Sequence, residues 1–503
     1  MRSRWLPVAL ACFCVLAMWP LWSAPTAALS DWPNHVARVH VLAHQGSSAA
    51  LASYYEPAWG PYPNLGFDLF GVGLAKLLPS ELVGRLFLSL VVFTWVGGVC
   101  LFGRAVEGKP TLRVLIASCF VYSESFLLGY ANFVFGLGLA MATLGLAFQA
   151  APLSRARRAL VALLALMTAV SHAAAIVTLG LGAVAFLFAR SVAARRMGSS
   201  FRDIAVRAAL FVPAGAYFGS WLAFIADHGR DRAFSGVRTS VRLLFGSLLP
   251  TYSENADVAV VVSLAVIGLL ALGTASRRRL SRRLRPLPAL AAGLCLLAVF
   301  LAPADYAGGY EANGRYVVGA WTFALFAVRA RPTARARSLW KVLAVMAITV
   351  LFARQLVVGV ELARLSRELS AQARVIDALP SGARHLGGAT FLDDHPSRAR
   401  FLRERALLHA VALGVIHRQA DVPMLYAIPG VQPLRHRESR WNGHRIRQSD
   451  PSALDIPRVK ADLDALMICG APSSVRDALM VEGRSAGVVG ACELIDWSPS
   501  GDR

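Results

Sequence analysis

The sequence predicts an α-helical polytopic membrane protein of about eleven transmembrane helices, followed by a soluble C-terminal α/β domain. Three observations support this fold class. The 503 residues are 56% hydrophobic and only 16% charged, whereas roughly a quarter of an ordinary soluble protein is charged. Arginine clusters recur at every second connection between apolar segments. From about residue 361 onward, the pattern changes to alternating strand and helix signals.

The first apolar segment, residues 1–24, could be a cleaved signal peptide or a signal anchor. Trp19, Pro20 and Trp22 interrupt the usual cleavage pattern, which favours the anchor. Residues 25–65 then form a first external loop, and the stretch 66–78 is short enough to be re-entrant or interfacial. The remaining predicted spans are 84–103, 113–128, 131–149, 159–171, 173–189, 206–226, 258–275, 287–303, 315–330 and 339–358.

The net charge of +22 follows from this topology. Cationic loops face the cytoplasm in membrane proteins, so the arginine clusters place the N-terminus inside. The clusters lie at 104–113, 155–158, 190–207, 277–285 and 329–337. A nucleic-acid-binding protein would gather its cations in one solvated patch, so we expect no nucleic-acid partner.

The chain therefore divides into a transmembrane domain, 1–360, and an extracytoplasmic α/β domain, 361–503. In the second domain an amphipathic helix is predicted at 361–378. Strands are predicted at 388–392, 465–469 and 492–497, with helices at 398–411 and 473–481. Cys469 and Cys492 lie on or beside strands in an oxidising compartment, so we expect a disulfide between them.

The first external loop contains a motif of acidic, polar and basic residues, Ser30 to His40. Asp31, His35 and Arg38 recur at i, i+4 and i+7, and they share one helix face if Pro33 opens a helix. Asp31 is either an N-cap or a base that takes a proton from an acceptor hydroxyl. His35 could orient it, share the proton or contact a phosphate. Arg38 on the same face is a candidate substrate-binding group.

Two other external loops carry candidate phosphate-binding cations. Arg315 lies at the membrane boundary, where it could bind phosphate with two hydrogen bonds or serve as an interfacial anchor. Glu311 could contact substrate or pair with Arg315. Arg230 and Arg232 lie outside despite the positive-inside bias, so they could receive an anionic lipid head group or pair with neighbouring aspartates.

No metal-ligating residue is assigned. No spacing of cysteine and histidine in the sequence matches a zinc or cluster site. His40 and His44 lie one helical turn apart, but two histidines without a third ligand do not define a metal site.

Four short motifs lie along the chain: Ser-Asp-Trp-Pro-Asn-His-Val-Ala-Arg at 30–38, Tyr-Pro-Asn at 62–64, Gly-Tyr-Ala-Asn-Phe at 129–133 and Gly-Val-Gln-Pro-Leu-Arg at 430–435. With the arrangement of spans and loops, these motifs resemble the polytopic GT-C glycosyltransferase superfamily, and within it uncharacterised bacterial multipass proteins. The resemblance implies inverting transfer of a sugar from a polyprenyl-phosphate donor at the outer face of a bacterial inner membrane. The C-terminal domain would then be periplasmic and help to present the acceptor.

The resemblance also implies roles for single residues. Asp31 matches the first-loop acid of the family, the base. Arg315, and Arg230 or Arg232, would bind the donor phosphate. Many members carry a second acid in the first loop, where this chain has His35, so dependence on a divalent metal ion stays open.

Two other functions stay open. A transporter or flippase for a lipid or polysaccharide would carry ionisable groups along its spans, whereas here the charges concentrate in loops. A non-catalytic membrane assembly protein would tolerate replacement of Asp31.

Overall fold

The computed structural model of the chain describes 5–149, 153–197, 201–226, 233–273, 285–305, 311–328, 336–379, 385–391, 398–427, 431–437, 447–448 and 454–497. These residues form a mostly helical protein with a small sheet near the C-terminus.

The first helices include those of the first loop and the helices that pack beneath it. They are α1 (Leu6–Met18), α2 (Trp32–His44), α3 (Ala49–Tyr54), α4 (Gly66–Ala75), α5 (Ser80–Glu107), α6 (Leu112–Ser118), α7 (Glu124–Leu127), α8 (Ala131–Ala147), α9 (Arg155–Ser171) and α10 (Ala173–Met197).

The later helices complete the bundle and flank the sheet. They are α11 (Phe201–Ala209), α12 (Val212–Ala226), α13 (Val237–Gly246), α14 (Glu254–Gly273), α15 (Pro286–Leu301), α16 (Tyr316–Ala327), α17 (Arg337–Asp377), α18 (Arg398–Arg405), α19 (Leu413–Arg418), α20 (Ile456–Asp462) and α21 (Ser473–Met480).

Three helices of the described residues are long and apolar enough to cross a membrane alone: Ser80–Glu107, Ala173–Val192 and Ser338–Asp377. A fourth span results if α11 and α12, which meet at 46°, cross together. Four further apolar helices have only 10–17 residues, fewer than the approximately 20 that a bilayer requires. The structure thus has the apolar helices of a membrane protein, but the expected number of about eleven spans is not confirmed.

The segment 113–128, predicted as one span, is three short pieces. Helix α6 ends at Ser118, a 3₁₀ turn covers Cys119–Tyr122, and α7 follows. Ser123 and Glu124 are both buried at the break. Apolar composition alone predicted a continuous helix here, but this segment folds as a compact support beneath the first loop.

The last predicted span and the amphipathic helix after it form one continuous helix. Helix α17 has 41 residues, which corresponds to a length of about 60 Å. The first part of α17 lies among the apolar helices. Towards its C-terminal end, Leu369, Ala373 and Ile376 are also buried. The predicted boundary at residue 360 therefore lies inside a helix.

The strands are β1 (Tyr55–Pro57), β2 (Leu386–Phe391), β3 (Leu434–His436), β4 (Arg447–Gln448), β5 (Ala465–Cys469), β6 (Arg484–Val489) and β7 (Cys492–Asp496). The C-terminal sheet has five strands in the order β4-β2-β5-β7-β6, and a separate antiparallel pair joins β1 to β3. The β2 strand is parallel to β4 and β5, whereas β7 is antiparallel to β5 and β6.

Both faces of this sheet are covered. Leu466 and Ile468 pack with Val475 of α21, whereas the intervening Met467 belongs to the core shared with the membrane helices. This alternation is the two-residue period of a strand. Cys469 and Cys492 form the expected disulfide between paired positions of β5 and β7.

The first loop is joined to the C-terminal region by β1 and β3, in which Tyr55 lies opposite His436 and Pro57 opposite Leu434. The Tyr55 hydroxyl accepts a hydrogen bond of 2.8 Å from the Val422 amide. Helix α2 also packs against α19. These contacts bring residues of the C-terminal region onto the motif that contains Asp31.

Candidate active site

The backbone of Asp31 is fixed by the broken segment beneath it. The amides of Ser30 and Asp31 donate hydrogen bonds of 3.2 Å and 3.1 Å to the carbonyls of Leu127 and Leu128. Gly129 has a φ of +86°, and a Cβ there would lie 2.7 Å from the Asp31 nitrogen. Only glycine combines this conformation with so close an approach. Asp31 is therefore presented from a rigid backbone.

The Asp31 side chain does not cap the helix that follows it. Asp31 occupies the N-cap position of α2, but its carboxylate makes no capping hydrogen bond. Instead, its Oδ1 lies 3.5 Å from Nε2 of His409, and Tyr426 also hydrogen-bonds to the carboxylate. The side chain keeps 16% of its surface exposed. The capping interpretation of this carboxylate is therefore wrong in this structure.

The surroundings of Asp31 favour its ionised form. Burial raises the pKa of Asp31, but the hydrogen bond and charge of His409, the charge of His35 and hydrogen bonding from Tyr426 together outweigh burial. The net pKa lies below the usual value of an aspartate. The carboxylate is thus ionised at neutral pH, as a proton acceptor must be.

His35 lies one helical turn after Asp31, and it contacts Arg38 and Tyr426. Its Nδ1 is 3.1 Å from Nη2 of Arg38, and its ring packs edge-on against Tyr426 at 5.6 Å. Burial and the Arg38 charge lower the pKa of His35 to about 3, although Asp31 opposes this shift. His35 is therefore neutral at pH 7, with Nδ1 accepting from Arg38 and the proton on Nε2.

Arg38 is completely enclosed by protein. Its Nε and Nη2 donate to the two oxygens of Asp68 at 2.8 Å and 2.7 Å, and its Nη1 donates to Gln432 at 2.6 Å. The side chains of Arg38 and Asp68 are 0% exposed. This geometry favours a role in orienting His35, and the predicted contact of Arg38 with substrate stays a prediction.

Tyr130 connects Asp31 to the second candidate loop. The Arg315 guanidinium lies over the Tyr130 ring, 4.3 Å from the ring centroid. Burial raises the pKa of Tyr130, and the charges that act on it are those of Asp31, Arg315, Glu311 and Arg405. The structure therefore brings three of the predicted site residues, Asp31, Arg315 and Glu311, to one buried tyrosine.

Two further charged residues, Glu311 and Arg405, act on Tyr130. Burial raises the pKa of Glu311, while the charges of Arg405, Arg315 and Arg242 lower it without cancelling the rise. Arg405 comes from the end of α18, and its guanidinium lies 4.4 Å from the centroid of Phe401. Arg315 thus lies over the ring of Tyr130, and the charge of Arg405 acts on the same tyrosine.

Arg230 and Arg232 lie outside the described residues. Ala233, directly after them, forms a backbone bridge with Asp305, in which the Ala233 amide donates to the Asp305 carbonyl at 3.2 Å. The two loops proposed from the sequence therefore meet at this point. The predicted roles of Arg230 and Arg232 stay predictions.

Four site residues come from the C-terminal region and were not predicted: His409, Tyr426, Arg405 and Gln432. Only Gln432 had a sequence signal, because it belongs to one of the motifs on which the family resemblance depends. His409 follows Asp31 by 378 positions, and no local periodicity reports such a contact. Within the described part of the chain, no group of three or more acidic, histidine or cysteine residues could hold a metal ion.

No model of a protein family matches the chain, and no curated protein matches it. Two crystal structures of ArnT from Cupriavidus metallidurans are similar to it over nearly the whole length of both chains. The apo form has 11% identity and a TM-score of 0.54, covering 98% of this chain and 97% of ArnT. The form bound to undecaprenyl phosphate has 10% identity and a TM-score of 0.55, covering 99% of each chain.

Arabinofuranosyltransferase AftD from mycobacteria is also similar, with 15% identity and a TM-score of 0.50. That likeness covers 100% of this chain but only 40% of AftD. At these identities the likeness concerns the fold. The chain has the fold of ArnT and of AftD, which confirms, at the level of the fold, the resemblance predicted from its sequence motifs.

Proposed function

We propose that this protein transfers a sugar from a polyprenyl-phosphate-linked donor to an acceptor hydroxyl, with Asp31 as the general base. One observation carries the proposal: the backbone of Asp31 packs against Gly129, next to Tyr130, and the Arg315 guanidinium lies 4.3 Å from the centroid of the Tyr130 ring. Activation of a hydroxyl needs a base, and departure of a phosphate needs fixed cations. Both requirements are met within this one site.

The proposed reaction proceeds by direct displacement. The acceptor hydroxyl gives its proton to Asp31, and its oxygen forms a bond to the anomeric carbon. The bond between that carbon and the phosphate oxygen breaks, and polyprenyl phosphate leaves with the electron pair. Arg315 and Arg405 stabilise the charge that develops on the phosphate. Inversion at the anomeric carbon follows from this single displacement.

The neighbours of Asp31 have positioning roles in this mechanism. His409 and Tyr426 hold the carboxylate from the side of the C-terminal region. His35 is neutral, so its Nε2–H can donate a hydrogen bond without competing for the acceptor proton. Arg38, which is held by Asp68, fixes the orientation of His35. Glu311 balances the charge of the two arginines and is a candidate contact for the substrate.

The choice of donor is supported by ArnT, a full-length structural neighbour whose crystal structure contains undecaprenyl phosphate. The arginines supply the counter-charge that a metal ion would otherwise give. The proposed chemistry therefore works without a divalent metal ion, and product formation in the presence of EDTA tests this point. Loss of product with EDTA, restored by a divalent cation, would show metal dependence.

The proposed location is the outer face of a bacterial inner membrane. The segregation of arginines between loops supports a position of Asp31 on the side opposite the cytoplasm. The Cys469–Cys492 disulfide in the C-terminal sheet suits an oxidising compartment such as the periplasm. The C-terminal region and Asp31 lie on the same side, because His409 contacts Asp31 directly.

The test is the glycan and glycolipid profile of cells that carry Asp31→Asn. We expect this variant to reproduce the product loss of a full deletion at an unchanged protein level. Asp477→Asn is the matched control, because it makes the same change on an exposed face of α21. A normal profile in Asp31→Asn, with product lost in the deletion, would remove Asp31 from the mechanism and favour a transporter or assembly protein.

A further inference from the structure

A groove lies between α1 and α5, on the outer surface of the helical bundle. Its volume of about 440 Å³ falls within the range of roughly 300–1,000 Å³ that is typical of ligand sites. Val15 and Phe93, at one end, are 65% and 52% exposed. The groove is lined by Val15, Met18, Trp19, Trp22, Ser89 and Phe93.

The groove changes from polar to apolar along its length. Trp22, which follows α1, contacts Ser89 of α5, whereas Val15 of α1 lines the groove together with Phe93 of α5. At the polar end, Trp22 Nε1 donates a hydrogen bond of 2.9 Å to Ser89 Oγ. At the other end, Val15 and Phe93 offer only hydrocarbon. The groove thus has one polar end and one end of hydrocarbon.

Arg85 lies beside the polar end. Its guanidinium carbon is 5.1 Å from the centroid of the Trp22 ring, and the Ser89 hydroxyl donates to the Arg85 carbonyl at 2.9 Å. Its Nε is buried and has no hydrogen-bond partner among the residues that the structure describes. An arginine within a membrane-spanning helix is costly unless an anion pairs with it.

We propose that the groove between α1 and α5 binds a membrane phospholipid with an anionic head group, whose phosphate contacts Arg85 and one of whose chains lies along the groove. The charge of Arg85 selects an anionic head group over a zwitterionic one. Trp22 is amphipathic and suits the level of the head groups. The apolar remainder of the groove suits a hydrocarbon chain, which adds hydrophobic binding energy.

This site differs from the proposed sugar-transfer site. Gly84 packs against Trp32 and Val36 of α2, so the next residue, Arg85, lies on a different face of α5. The nearest acidic residue along α5, Glu81, accepts a hydrogen bond of 2.8 Å from Thr26 and lies 3.9 Å from His417. Glu81 thus makes its close contacts with Thr26 and His417, and the charge of Arg85 acts on it only at a longer distance than an ion pair. The inference does not depend on the proposed catalysis.

The test is native mass spectrometry of the full-length protein, released from nanodiscs that contain equal amounts of phosphatidylglycerol and phosphatidylcholine with the same chains. We expect retained phosphatidylglycerol on the wild-type protein. Arg85→Gln should lower this retention about fivefold, the contribution of one arginine near a charged lipid. Arg104→Gln, on an exposed position of the same helix, is the matched control and should retain the lipid.

Two further variants separate charge from folding. Arg85→Lys keeps the cation and should restore most of the retention. Val15→Trp fills the apolar end from an exposed position, so it should reduce retention while the protein stays folded. Equal retention in wild type and Arg85→Gln would overturn the proposal. Displacement of phosphatidylglycerol by polyprenyl phosphate at stoichiometric amounts would overturn it too, because the groove would then belong to the donor.

Discussion

Two aspartates near α2, Asp31 and Asp68, show how differently this fold uses a carboxylate. Asp68 is 0% exposed, and both of its oxygens receive hydrogen bonds from Arg38, at 2.8 Å and 2.7 Å. Asp31 keeps 16% of its side chain exposed, and its ion-pair contact with His409 is 3.5 Å long. The first carboxylate has a complete set of partners within the protein, whereas the second can accept another.

This difference separates structure from chemistry. A buried carboxylate that is paired on both oxygens holds elements together but has no capacity left for a substrate proton. A carboxylate that is ionised, partly exposed and loosely held can take one. Both residues lie in the first quarter of the sequence, so their roles depend on what the fold places opposite them. The predictions below test this contrast, beginning with the largest expected effect.

Asp68→Asn should destabilise the protein by about 3–5 kcal/mol, because the charge of Arg38 would remain buried without its counter-ion. The measurement is resistance to heat and to protease of the purified protein in detergent. Asp31→Asn is the matched control and should lower this stability much less, since the side chain is partly exposed and its ion-pair contact with His409 is 3.5 Å long.

A double variant, Asp68→Asn with Arg38→Met, sharpens this test. Removal of both charges should recover part of the stability, because replacing a whole buried pair is less costly than breaking it. Equal stability of Asp68→Asn and wild type would show that Arg38 has another anion as its partner. That result would favour the predicted contact between Arg38 and substrate.

Arg315→Gln should lower the turnover number by about 10²–10³, the typical cost of removing one group that stabilises developing charge. The variant should also raise KM for the lipid donor, since the phosphate is charged before it leaves. Arg242→Gln is the control, because Arg242 is exposed and acts on Glu311 only through its charge. Similar kinetics in the two variants would reduce Arg315 to an interfacial anchor.

The sequence predicted those elements that local patterns define. The strand 465–469 has the bounds that were predicted, and α5 and α10 lie where long apolar runs were found. The break in 113–128 was missed, because an apolar segment that turns inside a protein has the composition of one that crosses a membrane. The amphipathic pattern at 361–378 did not reveal that this helix continues from the span before it.

The candidate site was predicted only on its N-terminal side. Asp31 and His35 belong to one local motif, and Arg315 stood out as a cation at a membrane boundary. His409 and Tyr426 lie in segments whose sequence is typical of an ordinary core. Their relation to Asp31 arises from the packing of α19 and its neighbours on α2, a contact between parts of the chain that are far apart in sequence.

At neutral pH, His409→Ala should lower activity less than the other variants. At acid pH, its activity should change in a distinct way. Asp31 stays ionised at pH 7 in the variant. Activity should therefore fall by less than roughly a hundredfold, which is the cost of displacing a reacting group by about 1 Å. The hydrogen bond and charge of His409 lower the pKa of Asp31. Their loss should raise that pKa, and the acid limb of kcat/KM should move to higher pH.

The lowered pKa of Asp31 also predicts how the stability of the protein depends on pH. The pKa of Asp31 is lowered in the folded state. The contribution of Asp31 to the free energy of unfolding is therefore present above the usual aspartate pKa and is lost as pH falls through the lowered value.

His409→Gln, which keeps a hydrogen-bond donor but has no ring charge, is the control for the kinetic prediction and should return the acid limb of kcat/KM part of the way. If the limb does not move in His409→Ala, the histidine only fills space, and Asp31 is held open by Tyr426 and the backbone of Gly129 instead.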